Sequence, residues 1–285
     1  MINVIANAKR IAFQGEPGAY ANLAAREAAP HASAIAQPTF EDAMEAVKRG
    51  DCDLCIIPVE NSLIGRIADI HHLLPDSGLH IVGEHFLPIH HQLLGLKSAT
   101  LDGITEVYSQ APALAQVRGI LKSRKLKAHN WYDTAGAAKH VAELGDPHAA
   151  AIASVLAGET YGLKVLAADV EDEHHNATRF LLMSKEDVRA QGSGKVVTTL
   201  LFQVKNAPAS LYKALGAFAT NGVNLTKLES YQLGGSFNAT QFYADIQGHP
   251  DAPPVAAALE ELRFQTARMA VMGVYPAHPY REDMP

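Results

Sequence analysis

Two different arrangements of apolar and polar positions follow one another along the chain. Up to about residue 184, short apolar runs alternate with segments whose apolar positions recur at helical spacing, which predicts alternating strands and helices. Thr39 predicts the start of one helix, with Asp42 at its third position, and Gly50 predicts its end. The predicted strands cover residues 10–14, 53–59, 79–87, 92–96, 106–109 and 149–154, and the predicted helices cover residues 19–29, 39–50, 112–122 and a segment beginning at 133. This alternation is typical of α/β layers with mainly parallel sheets.

After a polar, glycine-containing stretch near residue 190, the pattern changes. Strands are predicted over residues 196–204, 225–232, 237–246 and 268–274, helices over 209–221 and 253–262, and a glycine turn at 234–235. The resulting order, βαββαβ, is the ferredoxin-like arrangement. The chain is therefore predicted to be an α/β protein with a first domain over residues 8–186, a linker over 187–195 and a second domain over 196–285.

Composition excludes several classes of protein. Apolar residues make up 48% of the 285 positions, which excludes general disorder, and a net charge of −6 does not favour nucleic-acid binding. Two cysteines, Cys52 and Cys55, cannot frame a secreted domain and are predicted to be buried strand residues. No apolar run reaches the roughly 20 residues of a membrane helix, and the N-terminal charges follow the apolar residues, unlike a signal peptide. A cytoplasmic protein without a membrane or nucleic-acid partner is expected.

Five short segments, in order along the first domain, resemble the motifs of the prephenate dehydratase family. The resemblance covers the chain from residue 10 to about residue 277, including a second domain that is similar to the ACT regulatory domain. Each segment is weak by itself, and their order together with the appended domain makes the resemblance specific. The segments are residues 15–20 (GEPGAY), 58–62 (PVENS) followed by Gly65, Ser109 with Ala113, Leu114 and Gln116, residues 134–135 (TA), and 176–180 (NATRF).

The resemblance implies a fold and a reaction. The fold would be two α/β lobes around a cleft, similar to type II periplasmic-binding-protein folds, followed by a ferredoxin-like ACT domain. The reaction would convert prephenate into phenylpyruvate, water and carbon dioxide in phenylalanine synthesis, with no cofactor. Adjacent histidines at residues 71–72, 90–91 and 174–175 do not form a ready chelate, so no metal site is expected. Paired ACT domains imply a homodimer or homotetramer.

Loss of the ring carboxylate and the hydroxyl group of prephenate creates a benzene ring, so the site has to hold a dianion and assist the departing hydroxide. By resemblance, Thr178 is expected to donate a hydrogen bond to the leaving hydroxyl, Arg179 to bind a carboxylate, and Phe180 to form an apolar wall. Asn61 and Ser62 follow a buried strand and are expected to supply neutral donors. From the residues alone, each has a purely structural alternative. Thr178 could be an ordinary strand residue, Arg179 could form an ion pair, and Phe180 could pack in the core. Asn61 or Ser62 could cap a helix.

Further substrate contacts are expected where other strands end and other helices begin. Ser109 and Gln116 could face one cleft if Ser109 ends a strand and Gln116 lies in the next helix. Thr134 is expected to cap a helix whose N-terminus points at the ligand, and the loop ending at Gly18 to present backbone N–H groups to a carboxylate. Asn176 completes this predicted set of substrate-binding residues.

The second domain carries an expected effector site. Residues 224–230 (NLTKLES) are similar to a family segment, which implies that L-phenylalanine binds between paired ACT domains and inhibits the enzyme. Tyr231 and Gln232 stand where the family often has arginine and proline, so the strength of inhibition is left open. In the first domain, Gln110 stands where the family often has histidine, which leaves substrate choice open. The expected contacts are Ala209, Ser210, Leu211, Asn224, Leu225 and Ser230.

Two other functions remain open at this point. Arogenate dehydratase would carry out the same chemistry on the amino-bearing substrate, whose ammonium needs a carboxylate or carbonyl that the sequence does not place. A non-catalytic amino-acid sensor could also be built from a two-lobed cleft and the second domain. A binding protein, however, has no need for Thr178 beside Arg179.

Overall fold

The computed structural model describes residues 3–191, 195–232 and 239–282. The predicted glycine turn at residues 234–235 and the middle of the predicted linker, residues 192–194, lie outside these. The chain divides into two compact units, which we call the pocket unit (Lys9–Ile67 and Phe86–Phe180) and the terminal unit (residues up to 8, 68–85 and 181 onward). Both combine helices and sheets, so the predicted α/β class is confirmed.

Fifteen strands are numbered in chain order within the described residues. They are β1 (Arg10–Gln14), β2 (Ser33–Gln37), β3 (Leu54–Asn61), β4 (Gly65–Arg66), β5 (His80–Pro88), β6 (Gln92–Gly95), β7 (Glu106–Ser109), β8 (Lys127–Asn130), β9 (Ala149–Ala153), β10 (Lys164–Ala167), β11 (Ala177–Ser184), β12 (Val196–Val204), β13 (Leu225–Gln232), β14 (Ala239–Gln247) and β15 (Thr266–Pro276).

Ten α-helices accompany them in the same part of the chain. They are α1 (Asn3–Asn7), α2 (Tyr20–Ala28), α3 (Phe40–Arg49), α4 (Ala68–Leu73), α5 (Ala111–Ala115), α6 (Arg118–Ser123), α7 (Thr134–Leu144), α8 (Val155–Tyr161), α9 (Ser210–Thr220) and α10 (Pro253–Gln265). None of the helices in the described residues is both long and apolar enough to cross a membrane.

The pocket unit contains two sheets. In the first, β1 lies between β2 and β3 with parallel pairing, and β3 also neighbours β11. In the second, the strand order is β10-β6-β9-β7-β8, where β6 is antiparallel to both neighbours and β7 is parallel to β8 and β9. The second sheet is therefore mixed, which differs from the mainly parallel expectation. Apolar side chains such as Phe13, Ile56, Leu94 and Ile152 are fully buried around these sheets.

The terminal unit contains the βαββαβ order predicted from the second pattern. Its antiparallel sheet has the order β13-β14-β12-β15, and β15 also pairs with β5 through Gly273 and Ile81. Residues of α9 and α10, including Phe218 and Leu262, form one apolar core with Phe202 and Phe242 of the sheet. Burial of one face of each helix is thus what completes this layer.

Local signals place several helix ends correctly. The Thr39 hydroxyl accepts a hydrogen bond from the Asp42 N–H at 3.0 Å, as predicted, and stabilises the start of α3. Gly50 ends α3 with a φ of +82°, a left-handed conformation that glycine adopts without a Cβ clash. These ends follow from side chains next to them in the sequence.

One predicted helix is broken in the structure. The pattern predicts a helix over residues 112–122, whereas α5 ends at Ala115 and α6 starts at Arg118. The carboxylate of Asp172 accepts hydrogen bonds from the N–H groups of Arg118 and Gly119 at 2.8 and 2.9 Å. A distant acidic residue therefore caps α6, and Gln116 is left at the junction between the helices.

Candidate functional site

The pocket unit holds a cavity of about 220 Å³ that is lined by strands β1, β3 and β11 of its first sheet and by helices α2, α5 and α7 with their neighbouring loops. Most of the wall is apolar, and the polar groups are amides, hydroxyls, one histidine and one carboxylate. No lysine or arginine belongs to this wall as the structure describes it. The lining residues are Gln14, Gly15, Ala19, Tyr20, Ala21, Pro58, Asn61, Ile64, Ile67, Ile89, His91, Gln110, Pro112, Ala113, Gln116, Asp133, Thr134, Thr178 and Phe180.

Strand β11 divides the predicted catalytic triplet between its two faces. Thr178 and Phe180 line the cavity, whereas Arg179 is 2% exposed and lies outside the lining. Its guanidinium pairs with Glu60 at 2.9 Å and lies 5.9 Å from the ring centroid of Phe86. Successive side chains of a strand point to opposite faces, so Thr178 and Arg179 cannot both face one pocket from an extended backbone. This placement differs from the expected Arg179 contact with a carboxylate.

Asn61, the last residue of β3, orients the Thr178 hydroxyl. The Asn61 side-chain oxygen accepts hydrogen bonds from the N–H groups of Leu63 and Ile64, both at 3.0 Å, so its Nδ2 must be the donor. That Nδ2 donates to Thr178 Oγ1 at 3.0 Å. Because Thr178 accepts this bond, its hydroxyl hydrogen remains available for a bound molecule, and among the described residues that hydrogen has no acceptor.

The direction of the Asn61 hydrogen bonds also fixes the direction of the next ones, from Asn61 to Asn176 and from Asn176 to Gln116. Asn61 Nδ2 also donates to Asn176 Oδ1 at 2.7 Å, so Asn176 Nδ2 must donate to Gln116 Oε1, at 2.8 Å. His91 Nε2 lies 2.8 Å from Gln116 Oε1. Since that oxygen can only accept, His91 must carry a hydrogen on Nε2. A histidine tautomer is thus fixed by two backbone N–H groups of the loop after β3.

Tyr20 contacts the other ring nitrogen of this histidine. Its hydroxyl lies 2.7 Å from His91 Nδ1 and 3.0 Å from the backbone oxygen of His90. Burial lowers the pKa of His91 below its ordinary value, an effect opposed by the bond to Gln116 and the negative charge of Glu171. Burial likewise raises the pKa of Tyr20 well above its ordinary value. A neutral His91 therefore accepts from Tyr20 at Nδ1 and donates to Gln116 at Nε2.

The cavity wall also includes the start of helix α7. Asp133, not Thr134 as expected, is the N-cap, because its carboxylate accepts a hydrogen bond from the Gly136 N–H at 2.6 Å. Thr134 is the first helical residue and lines the cavity. Burial raises the pKa of Asp133, and hydrogen bonds from the α7 backbone oppose that rise. The site thus presents one carboxylate and a helix N-terminus side by side.

Three other predicted site residues do not line the cavity but connect the elements around it. The Ser62 hydroxyl donates to the His175 backbone oxygen, and the buried Ser109 hydroxyl donates to the Ile152 oxygen, so each joins neighbouring elements. Gly18 has a φ of +92°, and a Cβ there would lie 2.7 Å from the Cα of Ala157. Its role is close backbone approach, and Gly15 is the loop glycine that lines the cavity.

The predicted effector residues are dispersed within the terminal unit. Asn224 lines a cavity of about 620 Å³ together with Lys195, Gly222 and Arg281. Ala209 and Ser210 begin α9, Leu211 and Leu225 pack against the core, and Ser230 lies on the exposed side of β13. Of the six, Asn224 alone therefore belongs to the described lining of this cavity.

Four residues line the cavity although the sequence did not predict them as site residues: Tyr20, His91, Gln110 and Asp133. Tyr20 lies within the family-like segment 15–20, and Gln110 stands where the family often has histidine, so the motifs already indicated that both positions are near the site. His91 was considered as part of a metal pair, and its place between β5 and β6 was visible only as a break between two predicted strands. Asp133 immediately precedes the Thr134 motif.

Comparison with known proteins identifies relatives of the whole chain. A family model described as prephenate dehydratase matches residues 11–188. A bifunctional N-acyl-homoserine lactone acylase/prephenate dehydratase from Komagataeibacter europaeus is 49% identical over 95% of this chain and 97% of its own length. Arogenate dehydratase 5 of Arabidopsis thaliana, a chloroplastic protein, is 36% identical over 94% of this chain and 67% of its own length.

A solved structure supports the same relationship. Prephenate dehydratase from Arthrobacter aurescens, crystallised in complex with L-Phe, superposes with a TM-score of 0.87 at 28% identity. The alignment covers 97% of this chain and 91% of that one, so both units have counterparts there.

Proposed function

The chain belongs to the prephenate dehydratase family, a family of lyases, and from this premise we propose that it converts prephenate into phenylpyruvate, water and carbon dioxide. The observation that carries the proposal is the Thr178 hydroxyl, which Asn61 orients so that its hydrogen can face a ligand in the cavity. The pathway would be phenylalanine synthesis. No cofactor is needed, because the reaction creates an aromatic ring.

The reaction balances with one proton. The ring carboxylate leaves as carbon dioxide, its bonding electrons move into the ring, and the hydroxyl group departs as hydroxide, which takes a proton to become water. Thr178 donates a hydrogen bond to that leaving oxygen, and Phe180 and the apolar wall exclude water from the ring. The N-terminus of α7, with Thr134 at its first position, can accept a substrate carboxylate.

Arogenate is the second candidate, and Asp133 is the residue that favours it. The cavity wall carries this carboxylate and no lysine or arginine among the residues given above. Prephenate brings two negative charges to such a wall, whereas arogenate also brings an ammonium that a carboxylate can bind. Relatives named as arogenate dehydratases are 36% identical to this chain, which is consistent with either substrate.

The test is turnover of both substrates by wild type and by Asp133→Asn. Asparagine caps helices about as well as aspartate, so this variant removes the charge and keeps the cap. If Asp133 binds the ammonium, kcat/KM for arogenate falls about tenfold or more, the loss expected for one charge-assisted hydrogen bond, while kcat/KM for prephenate is unchanged or rises. Equal changes for both substrates would remove Asp133 from substrate choice, and no turnover of either by folded protein would remove the dehydratase proposal.

Regulation is proposed on the same basis. Residues 196–285 would form an ACT regulatory domain, with L-phenylalanine as effector and a homodimer or homotetramer as the assembly. Support comes from the βαββαβ order of this region and from the relative crystallised with L-Phe. Adding L-phenylalanine to the turnover assay should lower the rate, and D-phenylalanine serves as the control.

Acylase activity, which the K. europaeus relative bears in its name, is not proposed for this cavity. Amide hydrolysis by covalent catalysis needs a hydroxyl or thiol activated by a neighbouring base. Among the described lining residues, no serine, threonine or cysteine is hydrogen-bonded to the His91 ring, and the one hydroxyl that is, that of Tyr20, has its pKa raised by burial, which disfavours the nucleophilic phenolate. An acyl-homoserine lactone in the same assay checks this.

A further inference from the structure

His91 is a titratable lining residue that the proposed reaction has not yet used. It is 2% exposed and lies between β5 and β6, where its backbone N–H donates to Glu171 Oε2 at 2.8 Å. The cavity wall described above has no lysine or arginine, and Arg179 is buried against Glu60. A substrate with two carboxylates would therefore bring negative charge to a wall that contains no permanent cation among its described residues.

The hydrogen bonds of His91 suit both of its charge states. Its Nε2–H donates to Gln116 in either state, because Gln116 Oε1 is fixed as an acceptor. Its Nδ1 accepts from Tyr20 when the ring is neutral. When the ring is protonated, Nδ1–H donates to the Tyr20 oxygen, and the Tyr20 hydroxyl turns to the His90 carbonyl oxygen, already 3.0 Å away. No heavy atom has to move for the charge to change.

Of the charged groups that face His91, the carboxylate of Glu171 favours a positive ring, whereas charge on His90 opposes it. Glu171 is buried, and its other oxygen lies 2.9 Å from His90 Nδ1. Tyr20 of α2 and Gln116 after α5 are neutral, and His90 lies beside Glu171 and 3.7 Å from Asp169. Burial of the ring is the largest contribution: it lowers the pKa of His91 and keeps the ring neutral in the empty pocket.

We propose that His91 balances the charge of an anionic substrate: the neutral ring of the empty pocket becomes an imidazolium when the substrate's carboxylates bind, and Tyr20 reverses its hydrogen bond to accommodate the change. This proposal rests on the dehydratase function, because it assumes an acidic substrate in this cavity. Binding then takes up one proton.

The proposal predicts the sign of the pH dependence. Because kcat/KM reports the free enzyme, it follows the lowered pKa of His91 in the empty pocket, and it falls about tenfold per pH unit above that value. The bound substrate raises the pKa of His91, so the corresponding fall in kcat lies at higher pH. KM therefore rises as the pH is raised between about 5 and 8, the range in which histidine changes charge.

Four variants test this by steady-state kinetics over that pH range. His91→Gln should lower kcat/KM at about pH 6 by tenfold or more and remove most of the pH dependence. Tyr20→Phe should move the fall to lower pH, because the Nδ1–H of a buried imidazolium then lacks an acceptor. Gln116→Glu should move it to higher pH, because a carboxylate stabilises the imidazolium at Nε2. His31→Gln, at an exposed histidine, is the matched control and should keep the wild-type profile.

A merely structural role for His91 would give a different result. Loss of activity in His91→Gln with the pH dependence retained, or no opposite shifts in Tyr20→Phe and Gln116→Glu, would overturn the proposal. If His91→Gln does not fold, the two opposite shifts still decide the matter.

Failure of the dehydratase function can be told apart from failure of the His91 proposal. If wild type turns over neither prephenate nor arogenate, the function fails, and proton uptake is measured instead with phenylpyruvate as the anionic probe. Calorimetry in two buffers of different ionisation enthalpy gives the protons taken up, and Trp131, the single tryptophan, is two residues from Asp133 and reports binding by fluorescence. Uptake near one proton in wild type and near zero in His91→Gln supports the proposal, and equal uptake contradicts it.

Discussion

Two buried polar clusters, one in each unit, differ in how completely their hydrogen bonds are used. In the terminal unit, Arg281 donates to both carboxylate oxygens of Glu84, at 2.6 and 2.8 Å, and lies 3.7 Å from Asp245. Thr199 donates to Asp245 at 2.6 Å and contacts the Tyr275 hydroxyl at 2.7 Å. This cluster pairs its charges internally.

The cluster of the pocket unit is neutral and open. Asn61, Asn176, Gln116 and His91 form one hydrogen-bonded chain, and at one end it leaves the hydrogen of the Thr178 hydroxyl facing a cavity. The difference teaches that burial and a dense network do not by themselves indicate function. A cluster in which each charged group has a partner inside the cluster serves the fold. A cluster that has a hydrogen-bond donor without an acceptor, next to a cavity, can act on a ligand.

The largest expected effect is on stability, from Arg281→Met. Removing the guanidinium leaves Glu84, whose side chain is fully buried, without its bidentate partner, and this should lower the free energy of unfolding by about 3–5 kcal/mol. Urea unfolding measures it. The double variant Glu84→Met/Arg281→Met should recover part of the loss, because Glu84 no longer leaves an unpaired charge, whereas the buried Asp245 still lacks the Arg281 guanidinium.

Arg124→Met is the control for that experiment, since it breaks an exposed pair with Asp102 and should change stability much less. At temperatures well below melting, Arg281→Met should keep a kcat near wild type. A large loss of kcat in folded Arg281→Met would contradict the inference that the terminal-unit cluster serves the fold and not turnover.

The next effect is on turnover, from Thr178→Val. This change keeps the shape of the side chain and removes the hydroxyl, so kcat should fall about 10²- to 10³-fold, as for the loss of one preorganised donor. Asn61 Nδ2 keeps its bond to Asn176, so the melting temperature should change little.

Thr178→Ser is the matched variant, because it restores the hydroxyl without the methyl group. Its kcat should lie much closer to wild type than that of Thr178→Val. Equal kcat for Thr178→Val and wild type would show that the open donor does not act on the substrate.

The smallest of these effects is expected from Asn176→Ala. Asn176 does not line the cavity, but it connects Asn61 to Gln116. Its loss should lower kcat about tenfold by loosening the orientation of Asn61, with a smaller change in KM. A change in KM alone would mean that the hydrogen bonds of Asn176 help to bind the substrate and do not orient Thr178.

Much of the local structure could be predicted because its causes are local. Thr39 caps α3 through Asp42, three residues away, and β12 has the predicted bounds because β-branched and apolar residues fill the segment. Short strands with weak patterns, such as β2, β8 and β10, were missed, since pairing with neighbours decides them. The break between α5 and α6 was missed because Asp172 lies far along the chain.

For the candidate site, the sequence identified positions better than contacts. Thr178, Phe180, Asn61, Gln116 and Thr134 meet in one cavity, and their roles there remain predictions. Arg179 was predicted to bind a carboxylate because it belongs to the same family motif as Thr178. Strand geometry instead puts it on the opposite face, a consequence that the alternation of side chains already contains.

The sequence by itself determined the α/β class, the change to a βαββαβ pattern near residue 190, and the residues around which the site is built. These follow from periodicity and from motifs, which are properties of neighbouring residues. The tertiary structure alone decided that Gln116 lies at a break between helices, where Asp172 caps α6, and that His91 lies between Gln116 and Tyr20. Hydrogen bonds between residues far apart in sequence fix these positions, and the pattern of any one segment contains no information about its distant partner.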